Sequence, residues 1–179
     1  MLVLFDIDGT LLKSQHAGVH AMLDAFHQLH PNHRFSFDGI DIAGRLDTLI
    51  YDDMTARHGV PGDAQSHDTF RETYTEHLGR RLAQRNTVVA LEGVAELVRA
   101  LAGEPRVELG LLTGNYPATG RLKVRHAGLD PDLFRVNAFA MDGVTRRDLP
   151  PVALRRYAER HGSPLDPARA IIIGDTPKD

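Results

Sequence analysis

Two carboxylates follow the first apolar run of the chain. Residues 2–5 are apolar, and Asp6, Asp8, Gly9 and Thr10 come directly after them. In an extended backbone alternate side chains point the same way, so Asp6 and Asp8 can face one small volume. Two such carboxylates repel each other unless a cation lies between them or one is protonated, and Mg²⁺ prefers hard oxygen ligands. The pair therefore predicts a magnesium site, although a polar turn after a strand is the alternative interpretation.

A second acidic segment follows the apolar run 170–173. It contains Asp175 and Asp179, four residues apart. The carboxyl ends of neighbouring parallel strands meet at one edge of a sheet. If 2–5 and 170–173 are neighbours, the four aspartates can converge on one cation, whereas the second segment alone is also typical of a surface turn.

Thr113, Gly114 and Asn115 end another apolar run, residues 107–112. Backbone N–H groups after a strand, together with a threonine hydroxyl, are suited to binding phosphate oxygens. We therefore expect Thr113 to take part in catalysis and Gly114 and Asn115 to bind substrate. The alternative for Asn115 is to cap the helix that begins near Pro117.

Short apolar runs alternate with helical periodicity along most of the chain. This alternation predicts an α/β fold with a Rossmann-like parallel sheet and helices on both faces. The strands are predicted at 2–5, 107–112, 134–140 and 170–173, and the intervening helices at 93–101, 117–127 and 152–161.

Residues 14–90 interrupt this alternation, because they contain helical stretches but no convincing buried strand. We expect an inserted α-helical domain at 14–90 and an α/β core formed by 1–13 and 91–179. Within the insertion, helices are predicted at 17–29, 47–58 and 69–82, and loops at 31–41 and 59–66.

The composition excludes several classes of protein. The 179 residues include 21 basic and 24 acidic side chains, a net charge of −3, with no basic block that would favour nucleic acid as a partner. The absence of cysteine excludes disulfides, thiol catalysis and thiolate metal sites. The first apolar run is too short for a signal peptide or a membrane span. We therefore expect a cytoplasmic protein with no membrane partner.

The three polar segments together resemble the motifs of the haloacid dehalogenase-like hydrolase superfamily, in particular its phosphoglycolate-phosphatase-like members. Residues 5–10 (FDIDGT) are similar to the first motif, 112–115 (LTGN) to the second and 174–179 (GDTPKD) to the fourth. The resemblance implies a helical cap and a Mg²⁺-dependent phosphatase that acts on small phosphorylated metabolites through an aspartyl-phosphate. Asp6 is then the nucleophile, and Asp8 the general acid and base.

The same resemblance implies a set of metal ligands. Mg²⁺ is expected to be held by Asp6, the main-chain carbonyl of Asp8, and Asp175, with Asp179 as a further ligand or a neighbour of the metal shell. Asp179 is also the last residue, whereas members of the family continue through another helix and an edge strand. We therefore expect the sequence to be truncated.

The third motif of the family is a lysine or arginine that offsets the charge of the nucleophile and the phosphoryl group. By resemblance Arg146 takes this role, with Arg147 as the alternate, and either one could instead be a solvated loop arginine. Lys123, in the predicted helix after the second motif, is expected to be a surface side chain.

In the insertion, residues 43–47 resemble the Gly-Arg segment that reaches the active site of the family from above. Arg45 could bind a substrate carboxylate or phosphate bidentately, or face water at the start of a helix. His16 and His20 lie four residues apart without a third ligand at suitable spacing, which predicts a solvated helix face.

Two other functions stay open at this point. A sugar-phosphate mutase of the same fold would transfer the phosphoryl group to a second hydroxyl instead of water. A non-catalytic phosphate-binding module is also possible, although the intact nucleophile and metal positions count against it. The natural substrate and the oligomeric state are not predicted by any of these patterns.

Overall fold

The chain alternates strands and helices, with three helices inserted after the first strands. The computed structural model describes residues 1–84 and 87–177. The strands are β1 (Leu2–Phe5), β2 (Leu12–Lys13), β3 (Val89–Ala90), β4 (Glu108–Leu111) and β5 (Ala170–Ile173). The α-helices are α1 (Ala17–Leu29), α2 (Asp47–His58), α3 (Ala64–Leu82), α4 (Val94–Ala102), α5 (Pro117–His126) and α6 (Leu149–His161). The predicted α/β fold is confirmed.

A parallel sheet with the strand order β4-β1-β5 forms the centre of the core. Leu2 pairs with Glu108 and Ala170, while Phe5 pairs with Leu111 and Ile173. All four residues of β1 are apolar and buried, as expected for a central parallel strand. The predicted strands 2–5 and 170–173 are therefore neighbours, and their carboxyl ends lie at one edge of the sheet.

Residues 134–140 do not form the continuous strand that the sequence predicts. Only isolated bridges connect Phe134 and Ala138 to the β4 side of the sheet. The side-chain oxygen of Asn137 accepts the N–H of Leu111 at 2.8 Å, so a side chain takes the place of a backbone acceptor. The prediction of a regular third strand is wrong, because the Asn137 side chain replaces a main-chain acceptor and interrupts the ladder of hydrogen bonds between strands.

In the insertion, α1 and α2 cover the predicted ranges, whereas α3 begins five residues before the predicted start at 69. The earlier start has a local cause, because the carboxylate of Asp63 accepts the N–H of Ser66 at 3.0 Å and caps the helix. The predicted loop 59–66 is correspondingly shorter.

The three inserted helices share an aromatic core. Phe26 of α1 packs against Phe70 of α3, with ring centroids 4.5 Å apart, and against Tyr51 of α2 at 5.9 Å. Helix α3 also contacts α5, the helix that follows β4. The inserted helices therefore form one packed layer beside the carboxyl edge of the sheet. Among the described residues, no helix combines the length and apolar character needed to cross a membrane.

Gly110 allows the segment after α5 to approach β4 closely. A Cβ atom at this position would overlap the carbonyl oxygen of Val136. We predict that Gly110→Ala lowers the free energy of unfolding by about 3 kcal/mol or more, because the backbone has to shift. Urea unfolding measures the loss.

Gly103→Ala is the matched control, because its Cβ would lie at an ordinary 3.4 Å from the carbonyl oxygen of Ala100. Its stability should change by less than about 0.5 kcal/mol. Equal losses in the two variants would contradict this account of the sheet edge.

Candidate active site

A cavity of about 700 Å³ lies between the carboxyl ends of the strands and the inserted helices. Every described residue that the sequence analysis selected as a site residue contributes to its wall. These residues are Asp6, Asp8, Arg45, Thr113, Gly114, Asn115, Arg146 and Asp175. Asp179 lies outside the described residues.

Asp6 follows β1 and is only 5% exposed. The guanidinium of Arg146 lies 3.4 Å from its carboxylate, and the hydroxyl of Thr113 donates a hydrogen bond to it. Burial raises the pKa of Asp6, whereas the charge of Arg146 acts in the opposite direction. Arg146 is buried while Arg147 is exposed, so the structure places Arg146 beside the carboxylate.

Asp8 has a different cation as its partner. The ammonium of Lys123, on α5, lies 2.6 Å from the Asp8 carboxylate and 2.7 Å from the side-chain oxygen of Asn115. Lys123 is only 4% exposed, so the prediction of a surface side chain is wrong. Thr119, four residues before Lys123 on α5, is also fully buried, so the two side chains share the inner face of the helix.

Two neutral groups complete the surroundings of the Asp8 carboxylate. The hydroxyl of Ser14 donates to it at 2.9 Å and the side-chain amide of Asn115 at 3.0 Å. Burial by itself would raise the pKa of Asp8, but the charge of Lys123 and these hydrogen bonds hold it below its ordinary value. Ser14, at the predicted start of the insertion, was not among the selected residues.

Asn115 orients charged side chains instead of capping α5. Its side-chain amide donates to Asp8 and to the hydroxyl oxygen of Thr113, the latter at 2.9 Å. Helix α5 begins at Pro117 after Tyr116, which gives no side-chain cap. The capping alternative for Asn115 is therefore wrong.

Asp47, the first residue of α2, joins the insertion to the turn 113–116. Its N–H donates to the carbonyl of Gly114 at 2.7 Å, and its carboxylate accepts the N–H of Tyr116 at 3.0 Å. Its carbonyl oxygen accepts the hydroxyl of Tyr116 at 3.1 Å. Burial raises the pKa of Asp47 to about 7, against the opposing charge of Lys123. Sequence reasoning did not select Asp47, although it occupies the start of a predicted helix.

Arg45 lines the cavity but already has a partner within the insertion. Its guanidinium lies 2.6 Å from the carboxylate of Asp53. The main chain of Arg45 also lies close to Gly114, where a Cβ atom would overlap the Arg45 carbonyl oxygen. His16, directly before α1, and His20, on α1, are both exposed, as predicted for a solvated helix face.

Asp6, Asp8 and Asp175 line the same cavity. The carboxylate of Asp175 lies directly over Gly9, which has a φ of +84° and no side chain to block this approach. The carboxylate oxygens of these three aspartates are of the hard kind that Mg²⁺ accepts alongside retained water.

Asp179, the fourth aspartate of the expected convergence, lies outside the described residues 1–84 and 87–177. No three acidic, histidine or cysteine side chains within those ranges form a metal-binding group. Asp6 and Asp8 each lie beside a separate cation, Arg146 and Lys123 respectively.

Comparisons with known proteins give a family. A model of the haloacid dehalogenase-like hydrolases matches residues 1–179. No curated protein matches the sequence.

Solved structures share the fold. A CbbY variant from Rhodobacter sphaeroides, in complex with xylulose-(1,5)bisphosphate, is 19% identical with a TM-score of 0.72, covering 96% of this chain and 76% of its own. A putative phosphoglycolate phosphatase from Lactobacillus plantarum is 21% identical with a TM-score of 0.62, covering 99% and 78%. A hydrolase from Pseudomonas syringae is 21% identical with a TM-score of 0.65, covering 98% and 75%.

The Asp8–Lys123 pair generates a test of stability. We predict that Lys123→Met lowers the free energy of unfolding at pH 7 by roughly 2 kcal/mol. Loss of a fully enclosed ion pair would cost more stability, but the Asp8 side chain is 40% exposed, so water partly screens its charge. Without Lys123, burial raises the pKa of Asp8, so the carboxyl takes up a proton as the pH falls and the loss shrinks between pH 7 and pH 5.

Urea unfolding of the parent and the variant at both pH values measures this difference. Arg125→Met, which removes an exposed cation from the same helix, is the matched control and should change stability little at either pH. A loss for Lys123→Met that equals the control, or that grows as the pH falls, would contradict the assigned ion pair.

Proposed function

Since the chain belongs to the haloacid dehalogenase-like hydrolase family, we propose that it is a Mg²⁺-dependent phosphatase of small phosphomonoesters. The observation that carries the proposal is the pair of carboxylates after β1, each beside its own cation. One carboxylate is suited to nucleophilic attack and the other to proton transfer. The related CbbY structure holds a small phosphorylated molecule, which supports a ligand of this class.

In the first step we assign the attack to Asp6. One of its carboxylate oxygens bonds to phosphorus, the bond from phosphorus to the ester oxygen breaks, and an aspartyl-phosphate forms. Arg146 and the turn that begins at Thr113 stabilise the negative charge of the transferring group. When bound by Asp6, the Asp8 carbonyl and Asp175, Mg²⁺ would supply further positive charge against the phosphoryl oxygens.

Asp8 moves the proton in both steps. Protonated Asp8 gives its proton to the leaving oxygen, then takes one from the water that attacks the aspartyl-phosphate, which releases inorganic phosphate and free Asp6. The approaching phosphate dianion raises the pKa of Asp8, because like charges disfavour ionisation, and this opposes the effect of Lys123. Asn115 and Ser14 hold the carboxyl in place throughout.

We assign residues 14–90 to a cap domain over a core of residues 1–13 and 91–179. The position of Asp47 supports this role, because its three hydrogen bonds connect α2 to the turn 113–116. When such a cap closes over the core, it would exclude water from the cavity and at the same time position the turn 113–116 that binds phosphate.

The nucleophile is tested by Asp6→Asn. The amide keeps the shape of the carboxylate but is a poor nucleophile, so hydrolysis of p-nitrophenyl phosphate should fall at least about a thousandfold. Circular dichroism checks that the fold is intact. Asp52→Asn, the same substitution at an exposed position of α2, should keep parental activity. Activity of Asp6→Asn within tenfold of the parent would rule out the assignment.

The metal is tested by chelation. Removing divalent cations with excess chelator should reduce hydrolysis of p-nitrophenyl phosphate at least about a hundredfold, and added Mg²⁺ should restore it, because the phosphoryl charge is then neutralised. Undiminished turnover in excess chelator would show that Arg146 and Lys123 suffice and that the metal assignment is wrong.

A further inference from the structure

Part of the cap side of the cavity is formed by apolar side chains. We propose that the substrate is a phosphomonoester whose alcohol carries an aliphatic or aromatic portion, in preference to a sugar or a hydroxy acid. This inference rests on the proposed phosphatase function and specifies its substrate class.

The apolar wall comes from the inserted helices and the segment before α2. Val19 and Met22 of α1 lie on it together with Ile42 and Ile50. Val19 is half-buried and, within the described residues, belongs to neither cluster of packed core side chains. Its remaining apolar surface is therefore free to contact a ligand in the cavity.

Two polar side chains next to this wall, Arg45 and Asp47, are engaged elsewhere. The guanidinium of Arg45 binds Asp53, and the carboxylate of Asp47 accepts the N–H of Tyr116. Sugar hydroxyls facing the wall would lose their hydrogen bonds to water without gaining equivalent ones. A carboxylate packed against these four apolar side chains would lose water without meeting a cation among them.

The size of the cavity supports the same conclusion. A volume of about 700 Å³ is within the range that encloses drug-sized ligands. It exceeds what a phosphate with a two-carbon acid needs, so a small acid would leave the apolar wall in contact with water. A larger apolar alcohol would fill the cavity and displace that water.

A matched pair of substrates tests the proposal. n-Pentyl phosphate and ribose 5-phosphate are both primary esters of five-carbon alcohols, and they differ in the hydroxyls and the ring. With Mg²⁺ present, kcat/KM for n-pentyl phosphate should be at least about tenfold higher, as expected when polar groups meet an apolar wall. Release of inorganic phosphate measures both rates.

Val19→Thr gives a second, internal test, because it adds a hydroxyl with almost no change in shape. It should reduce the preference for n-pentyl phosphate at least about threefold, since the wall can then accept a hydrogen bond. Val89→Thr, the same substitution at an exposed side chain of β3, should leave the preference unchanged.

Equal or faster turnover of ribose 5-phosphate would overturn the substrate class. If Asp6→Asn nevertheless lost the hydrolysis of p-nitrophenyl phosphate, the proposed phosphatase function would stand. Failure to hydrolyse all three esters would overturn both proposals, and an unchanged preference in Val19→Thr would remove Val19 as a contact of the leaving group.

Discussion

Charge neutralisation of two neighbouring carboxylates is the constraint on which the site depends. Asp6 and Asp8 follow the same strand with one residue between them, and burial of Asp6 leaves little water to screen its charge. Arg146 reaches Asp6 from the one-turn 3₁₀ helix that begins with it, and Lys123 reaches Asp8 from α5. The two pairs give the carboxylates different surroundings, which is the condition for two different chemical roles.

The insertion and the core are coupled through the turn that carries Thr113 and Asn115. Asp47 holds this turn from α2 through main-chain and side-chain hydrogen bonds, while Asn115 continues the network to Asp8 and Lys123. A displacement of α2 would therefore change the orientation of the groups around Asp8. In the proposed mechanism, this coupling makes the proton donor depend on the position of the cap.

Local patterns predicted much of the fold and the residues of the cavity. Helix α1 follows from its helical periodicity and β1 from its continuous apolar run, and the Asp6–Asp8 spacing placed both acids in the cavity. Lys123 was missed because the inward face of a short helix depends on what packs over it, and a lysine favours the surface by default. The irregular segment 134–140 was missed because the side chain of Asn137 replaces a backbone acceptor, which a period-two pattern does not record.

The central claim is that Asp6 becomes phosphorylated during turnover. The most direct measurement is rapid acid quenching of the enzyme with an ester carrying a radiolabelled phosphate group, followed by peptide mapping. The account predicts an acid-stable, hydroxylamine-sensitive label on the peptide that contains Asp6 and no label in Asp6→Asn. A label on another residue, or turnover without any labelled peptide, would contradict it.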